Sequence, residues 1–336
     1  MAIIASLAQS LVLNPRSGTE IVDQNLIDAI LGNPVARAFA IMGDTWTQLI
    51  LRDAFFGVHR FSDWRDNLGL PRSVLSDRLT RLVSAGLLEL RTREGGVRTE
   101  YGLTAMGLDL FGISVMQGQW DRLYAPEPLR NRYALAFFDR ETGKRVHFDV
   151  LDRAHGKPVD PRRITYERGP GIEERRLPVS SRRRRLETGR GEAPIERSVE
   201  IIGDYWSAAI LSAAFFRLRR FDQFTQVLNI SSNILTERLN RFVANGIFEK
   251  HPYQDGPIRF EYRLTPAGLG LYPIILALFG WSERWLCDFN NPPMKLLDRE
   301  TGERITPIVC DVATGLPVDA KRIRWQREET RIAARR

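Results

Sequence analysis

Gly43-Asp44-Thr45-Trp46 returns 160 residues later as Gly203-Asp204-Tyr205-Trp206, and the sequence around the two copies stays in step. Ala54-Phe55-Phe56 meets Ala214-Phe215-Phe216, Arg60-Phe61 meets Arg220-Phe221, and Leu75 to Gly86 aligns without a gap on Leu235 to Gly246. Between 43–89 and 203–249, 18 of 47 positions are identical. Self-similarity at a long, fixed offset is the mark of a repeated structural unit, so the chain reads as one unit duplicated. The echo continues after a one-residue insertion, with Glu100-Tyr101-Gly102-Leu103-Thr104 against Glu261-Tyr262-Arg263-Leu264-Thr265. Asp139-Arg140-Glu141-Thr142-Gly143 then pairs with Asp298-Arg299-Glu300-Thr301-Gly302, and Gly156-Lys157-Pro158-Val159-Asp160 with Gly315-Leu316-Pro317-Val318-Asp319. Each repeat is therefore a main domain followed by a small appendix.

Within the first repeat, Asn33-Pro34 opens a helical pattern that places Val35, Ala38, Phe39 and Met42 on one face and stops at Gly43. Asp44 is placed to cap the next helix, whose stripe is Trp46, Leu49, Ile50 and Ala54. A short third helix runs from about Ser62 to Leu68. Pro71 begins a fourth, with Leu75, Leu79 and Leu82 inward and Gly86 as the left-handed stop. Leu87 to Arg93 and Val97 to Leu103 alternate around Glu94-Gly95-Gly96, the signal of a β-hairpin, and Thr104 caps a last helix to about Trp120. Helices, a two-stranded ribbon and a closing helix in this order make a winged helix-turn-helix. The fold class expected is α+β, mainly α: two tandem winged helix-turn-helix domains, each followed by a small β-ribbon appendix. The boundaries expected are a packing or dimerisation segment at 1–32, winged helices at 33–122 and 193–288, appendices at 123–168 and 289–327, a flexible basic linker at 169–192 and a basic tail at 328–336.

The ordered set Pro34-Val35-Ala36-Arg37-Ala38, Gly43-Asp44-x-Trp46, Ile50-Leu51-Arg52, Phe56-Gly57 with Arg60-Phe61-Ser62, Leu75-Ser76-x-Arg78-Leu79, Gly86-Leu87 and Tyr101-x-Leu103-Thr104 resembles the HxlR-type transcriptional regulators, relatives of the MarR type. The resemblance covers roughly 33–122 and again 193–285, and implies DNA binding by dimeric units that repress or activate transcription. Members that sense electrophiles or oxidants use a cysteine just before the Pro-Val-Ala-Arg run; Asn33 and Ala193 stand there, which removes that switch. The appendices resemble a ribbon that carries cysteine pairs in some relatives. Here Cys310 stands alone opposite Leu151, and a ribbon without zinc is expected.

If Leu75, Leu79 and Leu82 face inward, Ser73, Ser76, Asp77 and Thr80 face outward, and in the second repeat Asn233, Thr236, Glu237 and Asn240. These short polar side chains suit base edges in a major groove. The expected phosphate and wing contacts are Arg60, Arg72, Arg81, Arg91, Arg93 and Arg98 in the first repeat and Arg220, Arg241 and Arg259 in the second. Arg78 and Arg238 lie nearer the buried edge, where an internal ion pair competes with phosphate. The second wing, with His251, Tyr253, Gln254 and Arg259 around Asp255-Gly256, carries less charge than the first. Trp46, Phe55, Phe56, Phe61, Trp206, Phe215, Phe216 and Phe221 are read as core, and Trp120, Trp281 and Trp285 as a dimer interface or an effector pocket.

Other chemistries find no support. His59, His147, His155 and His251 lack metal-ligand spacing, no nucleotide-binding or hydrolase motif occurs, and neither catalysis nor a cofactor is expected. Two cysteines cannot build a disulfide framework, so a reducing cytoplasm is expected. The apolar start, Met1 to Leu13, is too short to span a bilayer. The net charge of +8 has an address: 33–120 holds 10 basic and 9 acidic residues and 193–281 holds 9 and 8, whereas 162–190 carries 10 arginines against 4 glutamates and 321–336 carries 7 basic residues against 2 acidic. Nearly neutral lobes would supply specificity, and the basic segments, Arg182-Arg183-Arg184-Arg185 above all, general attraction to phosphate. The partner expected is double-stranded DNA, read by two fused winged helices acting as a covalent pseudo-dimer; pairing of two chains and a small-molecule effector stay open. The alternative is a winged-helix scaffold that has lost DNA readout.

Overall fold

The computed structural model describes residues 27, 30, 32–92, 99–126, 135–171, 195–255 and 258–327. In the first repeat, α1 is Pro34–Met42, α2 Thr45–Phe55, α3 Phe61–Leu68 and α4 Arg72–Ser84. Asp44 caps α2, accepting the Thr47 N–H at 3.1 Å, and Gly86 closes α4 at φ 74°. Strands β1 (Leu88–Thr92) and β2 (Thr99–Leu103) form the antiparallel ribbon, Leu88 opposite Leu103 and Thr92 opposite Thr99. The closing helix is divided into α5 (Ala105–Asp109) and α6 (Phe111–Tyr124). Thr104 caps α5 as expected. Gly107 there lies against the ribbon so closely that a Cβ would come within 2.2 Å of the Leu87 carbonyl oxygen. The pinned turn ends in tighter bonds, Leu110 N–H to Gly107 O and Ile113 N–H to Leu110 O, before α6 proceeds.

The appendix follows as β3 (Leu135–Asp139), β4 (Arg145–Val146), β5 (Phe148–Asp152) and β6 (Ile164–Arg168). The second repeat gives α7 (Glu196–Ile202), α8 (Tyr205–Phe215), α9 (Phe221–Leu228), α10 (Ser232–Ala244), β7 (Phe248–Asp255), β8 (Ile258–Leu264), α11 (Pro266–Leu269) and α12 (Tyr272–Leu286). Its appendix is β9 (Met294–Asp298), β10 (Arg304–Ile305), β11 (Pro307–Asp311) and β12 (Ile323–Arg327). Leu49, Ile50, Trp64, Leu75, Leu79 and Leu82 fill the first helical core, and Ile210, Leu211, Phe224, Leu235, Leu239 and Phe242 the second; each is at most 2% exposed. Such side chains stabilise by roughly 1.5–3 kcal/mol each when fully buried. No helix among the described residues is long and apolar enough to cross a membrane.

Contacts divide the chain into two compact units that cut across the order of the repeats. Among the described residues, the first-repeat unit comprises those of 41–150 together with 195–200 and 309–327; the second-repeat unit comprises those of 201–308 together with those of 27–40 and 151–171. Each unit thus holds the start of the other repeat's first helix and the last strand of the other repeat's appendix. In the first-repeat unit β12 pairs antiparallel with β3, Ile323 opposite Asp139 and Arg327 opposite Leu135. In the second, β6 pairs with β9, Ile164 opposite Asp298 and Arg168 opposite Met294.

The repeated Asp-Arg-Glu-Thr-Gly motif makes the exchange specific. Asp139 Oδ1 accepts from the N–H groups of Glu141 and Thr142, and Gly143 takes φ 68°. The incoming Arg322 then reaches Asp139 at 3.1 Å and Glu141 at 2.9 Å. Asp298 builds the same turn with Gly302 at φ 72°, and Arg163 reaches Asp298 at 2.9 Å and Glu300 at 3.1 Å. The Thr142 N–H, and after it Arg322, hold the Asp139 carboxyl below its ordinary pKa; the Arg163 side chain does so first for Asp298.

The exchanged helix starts are held as well. In the first-repeat unit, Asp121, with no exposed surface, accepts the Ser198 N–H at 2.8 Å and the Arg197 N–H at 3.3 Å. Arg197 also donates to the Tyr124 carbonyl and lies 5.3 Å from the centre of the Trp120 ring. Burial pushes the Asp121 carboxyl up to about 7 despite those hydrogen bonds. In the second-repeat unit, Arg37 donates to the Leu286 carbonyl at 3.0 Å.

Two expectations about aromatics are corrected here. Trp46, Phe55, Phe56, Phe61, Trp206, Phe215, Phe216 and Phe221 are half-buried rather than core. Four of them turn to the closing helices and exchanged strands: Phe56 meets Trp325 at 4.4 Å, Phe216 meets Tyr166 at 4.9 Å, Phe55 meets Phe111 and Phe215 meets Tyr272. Trp120 and Trp281 are interior, 2% and 0% exposed, so they offer no outer surface to a second chain; Trp285 is 42% exposed.

Candidate nucleic-acid interface

Helices α4 and α10 occupy the same place in their ribbons-and-helices frames, and the same device seats both. The aspartate that caps the preceding helix also holds an arginine of this one: Asp44 pairs with Arg78 Nε at 2.7 Å, and Asp204 with Arg238 Nε at 3.2 Å. Gly-Asp-x-Trp and the distant Arg-Leu pair are thereby parts of one contact. Arg78 and Arg238 are engaged internally, the second almost wholly buried at 5% exposure. With Leu75, Leu79 and Leu82 or Leu235, Leu239 and Phe242 beneath, the outward row follows from helical spacing.

All eight outward residues are exposed: Ser73, Ser76, Asp77 and Thr80 on α4, and Asn233, Thr236, Glu237 and Asn240 on α10. Their side chains differ in freedom. Asp77 is paired with Arg78 and with Arg81 at 3.2 Å, and Glu237 with Arg238 at 2.5 Å. Asn240 Oδ1 accepts from Lys250 Nζ on β7 at 3.2 Å.

The cations around these rows are held in unlike ways. Arg60 bonds Glu100 at 3.1 Å, Arg72 lies over the Phe61 ring and Arg81 stays 61% exposed beside Asp77. Arg91 is folded back on its own ribbon, bonded to Glu89 and to the Leu103 carbonyl; Arg93 and Arg98 lie outside the described residues. In the second repeat Arg241 turns inward, donating to the Ile201 carbonyl, Asp204 and Ser207 Oγ. Arg220 stacks on Tyr253 with its guanidinium 4.6 Å from the ring centre, and Arg259 is exposed on β8. His251 pairs with Glu249, while the side chains of Gln254 and Asp255 lie outside the described residues, as do Gly256 and the basic runs at 182–185 and 328–336.

Three residues of the second ribbon carried no expectation from the sequence. Lys250 ties ribbon to helix through Asn240 and lies over the rings of Phe260 and Tyr262. Ile258 and Phe260 stand 64% and 41% exposed on the same ribbon, which is longer than β1–β2. Alternation along β8 was the available signal, since it sends Ile258, Phe260 and Tyr262 to one face.

A family model described as HxlR-like helix-turn-helix matches residues 41–128 and again 201–289. An uncharacterized HTH-type transcriptional regulator of Mycobacterium tuberculosis, Rv3095, is 36% identical over 129 residues, 38% of this chain and 82% of that one. YvaP of Bacillus subtilis, likewise described as an HTH-type transcriptional regulator, is 30% identical over 92 residues, 27% of this chain and 85% of its own. Among solved structures, the chain is similar to PA1607, with 32% identity, a TM-score of 0.37, and 40% of this chain and 95% of that chain covered.

Proposed function

The chain belongs to the HxlR-like helix-turn-helix family of transcriptional regulators, and on that premise we propose that it binds specific DNA sequences through two fused winged helices acting as a covalent pseudo-dimer. The observation that carries this reading is the reciprocal exchange: each unit is completed by a helix start and a strand from the other repeat. In a chain built so, each winged helix draws on the other repeat for its completion. Fusion also turns the second DNA contact into an intramolecular event, with an effective concentration of ~mM.

Ser73, Ser76, Asp77 and Thr80 form one reading row and Asn233, Thr236, Glu237 and Asn240 the other. Being unlike, they select two different half-sites, so the operator is asymmetric, whereas an exact two-fold dimer selects a palindrome. Arg60, Arg72, Arg81, Arg220 and Arg259 are the phosphate contacts this reading keeps among the described residues, with Arg93 and Arg98 beside them; Arg241 is given to positioning α10, because its guanidinium is already spent on Asp204, Ser207 and Ile201.

The test is binding of the full chain to genomic fragments around its own gene at about 150 mM salt with excess competitor DNA. Preference for a fragment, reduced when Ser73 and Ser76 or Asn233 and Thr236 are replaced by alanine, supports the proposal. Equal, weak binding to every fragment favours the scaffold reading instead.

A further inference from the structure

The two units treat one location in opposite ways. In the first-repeat unit, the space between α2, α6 and β3 is nearly closed, leaving about 70 Å³. Phenyl rings fill it: Phe137 meets Phe148 at 5.5 Å and Phe111 at 6.3 Å, and Phe111 meets Phe55 at 5.4 Å. In the second-repeat unit the repeat alignment puts Leu296 at the place of Phe137 and Pro307 at that of Phe148. The corresponding space is a cavity of about 790 Å³, inside the roughly 300–1,000 Å³ of small-molecule sites. Phe279, where the first repeat has Gly118, enters the wall without closing it.

The wall is aromatic and aliphatic, with Tyr166, Phe215, Phe216, Tyr262 and Tyr272 supplying rings. Tyr272 is half-buried on that wall, and burial, with the Asp160 carboxylate after it, raises its hydroxyl pKa, so it remains a neutral donor. Its hydroxyl makes no hydrogen bond among the described residues, although the ring faces the cavity.

Charge at the rim differs as well. Five arginines line the cavity, Arg162, Arg217, Arg219, Arg263 and Arg299, against the single carboxylate of Glu249. The first repeat has Gly57, His59 and Gly102 where the second has Arg217, Arg219 and Arg263. Arg162 and Arg263 are answered by Asp160 and Glu261, whereas the exposed side chains of Arg217 and Arg299 have no carboxylate partner among the described residues. Arg140, the counterpart of Arg299, is spent on the Ile323 carbonyl at 3.1 Å.

Arg217 adds a backbone observation. It holds φ 70°, a region most side chains avoid, at the position where the other repeat has Gly57 at φ 89°. The strained arginine is thus an alternative to a residue that fits without strain.

We propose that the second-repeat unit binds a small aromatic anion, an aryl carboxylate or sulfonate, with its rings among Tyr166, Phe216 and Tyr272 and its charge met by Arg217 and Arg299, and that the first-repeat unit has no such site. The site stands on this cavity and its arginines, independently of DNA binding.

The full chain is titrated with 8-anilinonaphthalene-1-sulfonate and with N-phenyl-1-naphthylamine, which keeps the rings and lacks the charge, both followed by fluorescence and calorimetry. One saturable site per chain is expected, at least tenfold tighter for the sulfonate. Arg217→Gly, which installs the residue of the other repeat, is expected to weaken the sulfonate at least threefold and leave the neutral dye unchanged. Leu296→Phe is expected to weaken both at least tenfold by refilling the cavity. Absence of saturable binding, two equal sites per chain, or equal affinity for the two dyes overturns the proposal. Should Leu296→Phe fail to fold, the stoichiometry and the Arg217→Gly response decide alone.

Discussion

The first-repeat unit and the second-repeat unit are built from the same ordered elements, yet one has a closed aromatic interior where the other has a cavity of about 790 Å³. Two substitutions mark the contrast: Phe137 and Phe148 in one repeat stand against the smaller Leu296 and Pro307 in the other. The exchanged strands meet matching turns in both units, Arg163 at Asp298 and Arg322 at Asp139. The space under the closing helix does not match. The lesson is that fusion lets one copy keep a packed interior while the other trades packing for space.

This contrast can be broken from the packed side first. Phe148→Ala removes a ring that is 5% exposed and is expected to cost about 3 kcal/mol in urea unfolding. Leu296→Ala, whose side chain already borders empty volume, should cost no more than about 1–2 kcal/mol. Equal costs would mean that the two interiors are packed alike.

The next largest effect separates the units by pH. Asp121 belongs to the first-repeat unit, and its counterpart in the second repeat is Ser282. Its folded pKa of about 7 lies above the ordinary value of 3.8, so the folded state holds the proton more tightly than the unfolded chain. Its contribution is fully present below about pH 4 and is lost as pH rises through about 7. Relative to Asp121→Asn, the wild type should lose about 2 kcal/mol of stability between pH 5 and pH 8. A pH-independent difference between the two proteins, measured by denaturant unfolding, would remove this account of the buried carboxyl.

Smaller again is the backbone contrast at Gly57 and Arg217. Replacing Arg217 by Gly should stabilise, and replacing Gly57 by Ala should destabilise, each by about 1 kcal/mol. Thermal melting with opposite shifts checks this pair. Smallest of all are the exposed arginines of the exchanged strands: Arg163→Ala and Arg322→Ala should lower the melting temperature slightly and by equal amounts, since they meet matching turns at Asp298 and Asp139. Unequal losses would show that one exchange is held more firmly.

Much of the fold could be read from the chain. The duplication, the cap at Asp44, the stop at Gly86, the ribbon and the outward rows of α4 and α10 all depend on neighbours close in sequence or on helical period. The exchange was hidden because the repeats are alike: Arg322 suits Asp298 as well as Asp139, and only the assembled strands show which turn it meets. The cavity was hidden for another reason. Leu296 and Pro307 are ordinary apolar residues, and empty space is a sum over side chains brought together from α8, α12, β6 and β9. The half-buried aromatics follow from the same blindness, since Phe56 and Phe216 look like core until Trp325 and Tyr166 arrive on the exchanged strands. Within the reading rows, sequence showed which residues face outward but not that Asp77, Glu237 and Asn240 are engaged by Arg81, Arg238 and Lys250.

The pseudo-dimer itself is tested most directly by footprinting the full chain on its preferred DNA, together with the Ser73→Ala/Ser76→Ala and Asn233→Ala/Thr236→Ala variants and the mass of the complex. The account predicts one chain per site, two dissimilar half-sites, and loss of protection or base preference at a different half-site in each variant. A perfect palindrome occupied by two chains, with both variants disturbing the same positions, would contradict it.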